Sequence, residues 1–315
     1  MLGPDEPQAS SLFFYRDATP DDKDQVLAFT ANTWEHGDYI AYVYDNWLAD
    51  TSGRFLVAIE AASGRIAAID KLSFIRPGEA WFEGLRVNPE FRGRGLASRT
   101  QRHMIEEARS LGARTIRLLT RADNHAVHTM AYRDGFRLLM IARFWRWKRD
   151  LRQESIKISA GEILQIRQAE PSEAAGLYDW WLRSSAFAWH NLVYGDWRFE
   201  STKPGDWEQA ARTGGLFVAA GYSQITQLPP PLALVSSVDY GPGEDRWLIC
   251  TFGGQPDDLA PLLQTLGERA ILEGASEIRG FYPDTVEINR ALVSAGFEPG
   301  TDEERHLLFE LELER

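Results

Sequence analysis

The chain has 315 residues, enough for two domains of ordinary size, and its 44% hydrophobic and 25% charged residues with sixteen Phe, eleven Trp and ten Tyr exclude a disordered chain. One cysteine, Cys250, excludes an intrachain disulfide and any paired-cysteine zinc site. The net charge of −12 is uneven: residues 1–150 hold 21 Lys+Arg against 20 Asp+Glu, whereas residues 151–315 hold 13 against 26.

An acidic chain is a poor nucleic-acid binder without a basic face, yet its first half keeps cations for a small phosphate-bearing ligand. No apolar run approaches the roughly 18 residues of a membrane span. Residues 1–11 carry Asp5, Glu6 and two prolines, without the basic and apolar regions of a signal peptide. The expectation is a cytoplasmic protein with a disordered tail over 1–11, binding neither nucleic acid nor membrane, as monomer or homodimer.

In chain order, 12–16 reads as a strand, 21–33 and 39–48 as helices, and 54–61 and 65–75 as strands joined at Ser63-Gly64. A strand over 81–87 leads into a glycine loop. A helix follows over 95–111, with Ala97, Met104, Ile105, Ala108 and Leu111 at helical spacing. Then come a strand at 115–120, a helix at 124–134 stopped by Gly135, and a strand at 137–147. The polar stretch 151–162 reads as a linker between domains at 12–150 and 163–315. Further strands are expected near 217–221, 232–240, 247–252, 277–281 and 306–312.

The second half repeats the first. Arg16-Asp17-Ala18-Thr19-Pro20 recurs as Arg167-Gln168-Ala169-Glu170-Pro171, and Gly112-Ala113…Ile116-Arg117 recurs as Gly274-Ala275…Ile278-Arg279. Gly135-Phe136 recurs as Gly296-Phe297. Matches in the same order at nearly constant offset point to duplication.

The strongest motif is Leu85-Arg86-Val87-Asn88-Pro89-Glu90-Phe91-Arg92-Gly93-Arg94-Gly95-Leu96-Ala97-Ser98. Strand, Gly/Arg loop and helix start together present backbone N–H groups at the positive end of a helix dipole, an anion site. It is neither a Walker loop nor the dinucleotide fingerprint. It resembles the pyrophosphate loop of the GCN5-related N-acetyltransferase (GNAT) superfamily, Arg/Gln-x-x-Gly-x-Gly/Ala, at Arg92-Gly93-Arg94-Gly95-Leu96-Ala97, with Asn124…Gly135-Phe136 fitting downstream. The resemblance covers about residues 12–149, and 163–312 more weakly. It implies an α/β (α+β) architecture of two tandem GNAT-type folds, each a mixed central sheet with flanking helices.

It further implies acetyl-CoA as co-substrate; His125 and His128 lack a carboxylate partner at clear spacing, so no metal is expected. Leu85, Arg86 and Val87 would hold the pantetheine arm through their backbone. Arg92, Gly93, Arg94, Gly95, Leu96, Ala97 and Ser98 would hold the pyrophosphate, and Asn124 and His128 would face the cofactor. In the second half Asp257-Asp258 stands where the loop belongs, so that domain is read as a degenerate copy covering the cleft.

For chemistry, acetyl transfer to an amine needs a base. Glu83 lies on the cleft strand; the family often places its glutamate one pleat earlier, at Trp81 here. The family's tyrosine position falls on Ala131, which leaves Tyr132 as the candidate acid. Trp81, Glu35, Asp38 and Tyr39 are candidates for substrate contact, since carboxylates beside aromatics suit a cationic amine. His103 is expected to be solvated. The run Asp38-Tyr39…Trp47-Leu48 with Glu83–Val87 also resembles the histidine N-acetyltransferase-like branch. The expected activity is acetylation of a small amine, with an amino acid as first candidate. The alternatives are a protein or peptide N-acetyltransferase and a non-catalytic acyl-CoA sensor.

Overall fold

The computed structural model describes residues 12–33, 37–148, 166–185, 187–219, 231–238, 245–301 and 304–314; the expected tail 1–11 and linker 151–162 lie outside them. The chain forms two compact units. Unit 1 takes residues up to Leu118, Ala126–Arg137 and Glu310 onward; unit 2 takes Leu119–His125 and Leu138–Phe309.

Unit 1 begins with β1 (Phe13–Asp17), a short turn, α1 (Lys23–Thr30) and α2 (Ile40–Ala49). The antiparallel strands β2 (Arg54–Glu60), β3 (Ile66–Arg76) and β4 (Glu79–Val87) follow. Next come α3 (Leu96–Ser110), β5 (Thr115–Arg121), parallel to β4, and α4 (His125–Arg133). The five central residues of β2 are all buried, because helices cover both faces of the sheet. Val26, Ile40, Tyr44 and Trp47 of α1 and α2 pack on Phe55, Val57, Ile59 and Ile69. On the opposite face Phe13, Ala58, Ala68 and Phe91 pack around Leu96 at the start of α3. Each such aliphatic or aromatic side chain taken from water is worth about 1.5–3 kcal/mol.

Unit 2 contains β6 (Arg137–Trp147), β7 (Ile166–Gln168), α5 (Ala174–Ser184) and the hairpin β8 (Leu192–Gly195) and β9 (Arg198–Ser201). Then come α6 (Pro204–Arg212), β10 (Leu216–Ala219), β11 (Leu232–Val238) and β12 (Arg246–Gly253). α7 (Pro256–Leu272), β13 (Glu277–Pro283), α8 (Val286–Ser294) and the two-residue β14 (Glu298–Pro299) follow, and β15 (Arg305–Glu312), which passes into unit 1 at Glu310, closes unit 2. Its main sheet runs β6-β13-β12-β11-β10-β7.

The repeated residues make repeated bonds. Arg16 clamps Asp22 with two bonds of 2.6 and 2.7 Å, and Arg167 clamps Glu173 with two of 2.6 Å. In each case the acid caps the turn it ends, accepting from Thr19 N or Glu170 N. Ala18 and Ala169 donate to Phe55 and Leu216 at 2.7 Å. Both long helices close alike, Ala113 N on Ala108 O and Ala275 N on Ala270 O, each 2.9 Å.

The strands that flank the two parallel pairs come from the far half of the chain. Beside β13 lies β6, in antiparallel register from Ile278↔Trp147 to Pro283↔Ala142. In unit 1 the neighbour of β5 is β15: Leu313 N bonds Arg114 O at 2.8 Å, and Arg117 Nε bonds Glu310 Oε2 at 2.8 Å.

Candidate active site

β4 is laddered to β5 only from Glu79↔Thr115 to Phe82↔Leu118, although it runs on to Val87. From Glu83 onward that edge carries no ladder, and its backbone groups need other partners. On its other edge β4 keeps β3, but the register slips: Lys71 faces Glu83 and Ile69 faces Arg86. Gly84 and Leu85 together stand opposite Asp70, a bulge with Gly84 at φ +76°. A side chain at Gly84 would collide with the Trp47 indole, so both the backbone and the approach of α2 require glycine.

The bulge decides which side chains share a face. Residues 83 and 86 would point to opposite faces of a regular strand. Across the bulge they stand opposite Lys71 and Ile69, two residues of one β3 face, and Trp81 joins them opposite Ser73. There Ser73 Oγ donates to Glu83 Oε1 at 2.9 Å. Arg86 grips Asp38 through Nε–Oδ2 at 2.7 Å and Nη2–Oδ1 at 3.2 Å, and its guanidinium lies 5.4 Å from the Tyr39 ring centre.

The structure thus brings Glu83, Trp81, Arg86, Asp38 and Tyr39 to one face. Asp38, expected to meet the substrate, has a side chain only 1% exposed and neutralises Arg86. Trp81 is buried and Tyr39 partly exposed. Glu35 lies outside the described residues.

The loop beyond β4 is built for close approach. Asn88 Oδ1 accepts from Glu90 N at 3.2 Å and its amide donates to Ile66 O, which fixes the turn that buries Phe91. Arg92, Gly93, Arg94 and Gly95 are exposed, with the glycines at φ +76° and +68°. Gly95 is the N-cap of α3, and no side chain caps that end. The first N–H groups of α3, from Leu96 to Ser98, therefore lie at an uncapped positive pole. Arg92 Nε is tied to Val87 O at 3.3 Å, and Arg94 bonds Glu60 at 3.2 Å while lying over Phe91.

On α4, Ala131 is buried, His128 half-buried and Tyr132 53% exposed. Asn124 belongs to unit 2, where its amide donates to Thr120 Oγ1 at 3.2 Å. His103, expected to be solvated, stacks on Tyr15 with ring centres 4.1 Å apart. Cys250 is buried in β12, and burial pushes its thiol up to about 12, far from a nucleophile's range.

Sequence reasoning passed over Ser73 and Asp70. Glycine inside the strand pattern at Gly84 was the available signal for the bulge that stands opposite Asp70. Burial pushes the Asp70 carboxyl well above the usual carboxylate range; the Lys71 amide and Arg86 oppose this, and Glu83 adds to it. Held neutral when folded and ionised when unfolded, Asp70 costs stability once pH passes about 4. Asp70→Asn is therefore expected to melt higher than the parent at neutral pH, the gap closing as pH falls toward about 4. A gap that is flat with pH would refute the assignment.

Residues 16–136 match the model of the Acetyltransferase (GNAT) family. Histidine N-acetyltransferase of Oreochromis niloticus is 33% identical over 94 residues, which is 30% of this chain and 27% of that protein; the chain thus matches about a quarter of its relative's length. A GCN5-related N-acetyltransferase from Sphaerobacter thermophilus superposes with TM-score 0.62 over 95% of both chains at 17% identity. A tandem GNAT protein from the clavulanic acid biosynthesis pathway gives 0.54 over 95% of this chain and 98% of its own, at 16% identity. These likenesses establish the fold along the whole chain as two successive GNAT-type α/β folds. Among the described residues no group of His, Cys, Asp and Glu could hold a metal ion, and no helix is long and apolar enough to cross a membrane.

Proposed function

We propose that unit 1 transfers an acetyl group from acetyl-CoA to the amine of a small molecule, an amino acid being the first candidate. The uncapped start of α3 behind two left-handed glycines carries this reading. It fits a pyrophosphate, since a Cβ at either Gly93 or Gly95 would meet nothing within 4 Å and the approach is open. The likeness of 94 residues to a histidine N-acetyltransferase supports the choice of acceptor.

In this reading Gly93–Ser98 and the flanking arginines hold the pyrophosphate, and the unladdered edge of Leu85–Val87 holds the pantetheine amides. Acetyl-CoA supplies, when bound, an activated acetyl thioester. Glu83, oriented by Ser73, takes a proton from the ammonium directly or through water, so the amine can form its new N–C bond as the C–S bond breaks. A backbone N–H near Leu85 polarises the acetyl carbonyl. Tyr132 delivers a proton to the departing sulfur, and the acylated nitrogen's second proton restores the tyrosine through water, so that coenzyme A leaves as the thiol. The second unit opens its corresponding helix with Asp257 and Asp258, and like charge there disfavours a second pyrophosphate.

The test is calorimetry with acetyl-CoA together with a thiol-release screen of amines, amino acids and peptides. Arg92→Ala and Gly95→Asp are each expected to weaken acetyl-CoA binding more than tenfold, a charge-assisted contact being worth about 1.5–3 kcal/mol. Unchanged affinity in both variants would remove the loop assignment. Turnover of peptides alone would move the acceptor to proteins, and binding without any turnover would leave a sensor.

A further inference from the structure

Unit 2 holds a second site that the acetyl-transfer reading does not use. A cavity of about 280 Å³ opens on one face of β6 and β13, just under the roughly 300 Å³ at which small-molecule pockets begin. Its two strands set a pattern. Phe144 stands directly opposite Phe281, and one pleat along Arg146 stands directly opposite Arg279. Lys148 continues the β6 row. The pocket thus has an aromatic pair and a cationic pair one pleat repeat, roughly 7 Å, apart along the backbone, with the Arg146 guanidinium 5.4 Å from the Phe144 ring centre.

Like charges directly opposed across a ladder destabilise a sheet. Two lining carboxylates serve three lining cations: Glu304 lies 3.8 Å from Arg146, and Glu277 lies 3.9 Å from Arg279 and 3.5 Å from Lys148. Both acids make shorter bonds elsewhere, Glu304 to Thr301 N at 2.6 Å and Glu277 to Arg246 at 3.2 Å. Among the described residues cations therefore outnumber acids along the lining, three to two, in a stretch of chain where acids outnumber cations 26 to 13.

A strained residue covers the aromatic pair. The β8–β9 hairpin turns through Asp196 and Trp197 at φ +36° and +69°. This mirror-image turn normally carries glycine at its second position. Tryptophan there is a genuine outlier, and such strain concentrates at functional sites. Trp197 stays 48% exposed, stacks on Phe144 at 6.2 Å and 12°, and meets Phe281 edge-on at 5.0 Å.

We propose that this pocket binds small arylalkyl carboxylates, with the ring against Trp197 and the carboxylate between Arg146 and Arg279. The site rests on unit 2 alone. The test is titration calorimetry of the full chain with 3-phenylpropionate, acetate and 3-phenyl-1-propanol. Saturable binding is expected for 3-phenylpropionate, at least tenfold tighter than for acetate or the alcohol. Trp197→Gly suits the backbone angle, so it should fold as the parent does and lose at least tenfold in affinity. Arg146→Gln should lose as much, with a weaker salt dependence. Three results would overturn the proposal: no saturable binding, affinity unchanged in both variants, or full displacement of the probe by coenzyme A, which would place it in the acetyl-transfer site.

Discussion

Glu83→Gln is expected to leave acetyl-CoA affinity in place and to lower kcat by about 10²–10⁴, the usual share of a general base. The substitution keeps the side chain's shape and an oxygen for the Ser73 hydroxyl, whose bond to Glu83 measures 2.9 Å. It removes only the ability to take a proton. Asp38 cannot replace it, because that carboxylate is buried against Arg86. A role confined to strand architecture would give a different pattern: a lower melting temperature with near-parental turnover per folded molecule. Measuring kcat per active site beside a melting curve separates the two. Near-parental kcat in folded Glu83→Gln would sink the base assignment.

The second large effect is on stability. Glu310→Ala is expected to cost about 3 kcal/mol, as when one partner of a buried ion pair is removed. Arg117 and Glu310 both have side chains 8% exposed, and Arg117 shares its charge between Glu310 and Glu79, each at 2.8 Å. Glu310 also accepts from Arg137 at 2.6 Å. Removing it leaves buried Arg117 with Glu79 as its one remaining carboxylate in this network. At roughly 2–4 °C per kcal/mol for a domain of 150–250 residues, the melting temperature should fall by roughly 6–12 °C. Glu312→Ala is the control: Glu312 contacts Arg137 at 2.8 Å but is 71% exposed, and exposed pairs are worth about 0–1 kcal/mol. Equal shifts in the two variants would refute the network's importance.

The loop was legible because its chemistry is local. Gly93 and Gly95 flank a helix start, and nothing distant is needed to see that its N–H groups are open. The duplication was legible for the same reason, since Arg16 and Arg167 clamp acids only six residues away. The side chains around Glu83 were less so. Strand alternation puts Glu83 and Arg86 on opposite faces, and only the slip at Gly84-Leu85 reunites them. The pairing of Asp38 with Arg86 spans 48 residues and turned an expected substrate contact into a buried counter-ion. The neighbour of β5 was hidden most deeply, because a period of two says that β6 and β15 are strands and not which edge each one meets.

That last feature bears on the order of events during synthesis. β5 leaves the ribosome long before β15, and Arg117 must wait 193 residues for Glu310. The loop, α3 and the first five strands can collapse early, but one sheet edge stays open while nearly all of unit 2 is made. An open edge is a template for pairing with other chains, and nascent domains otherwise tend to fold in sequence as units. Completion of unit 1 is thereby deferred until residues 310–314 have emerged. A ribosome-stalled chain ending near residue 150 would then be a good client for a chaperone and a poor ligand-binding protein.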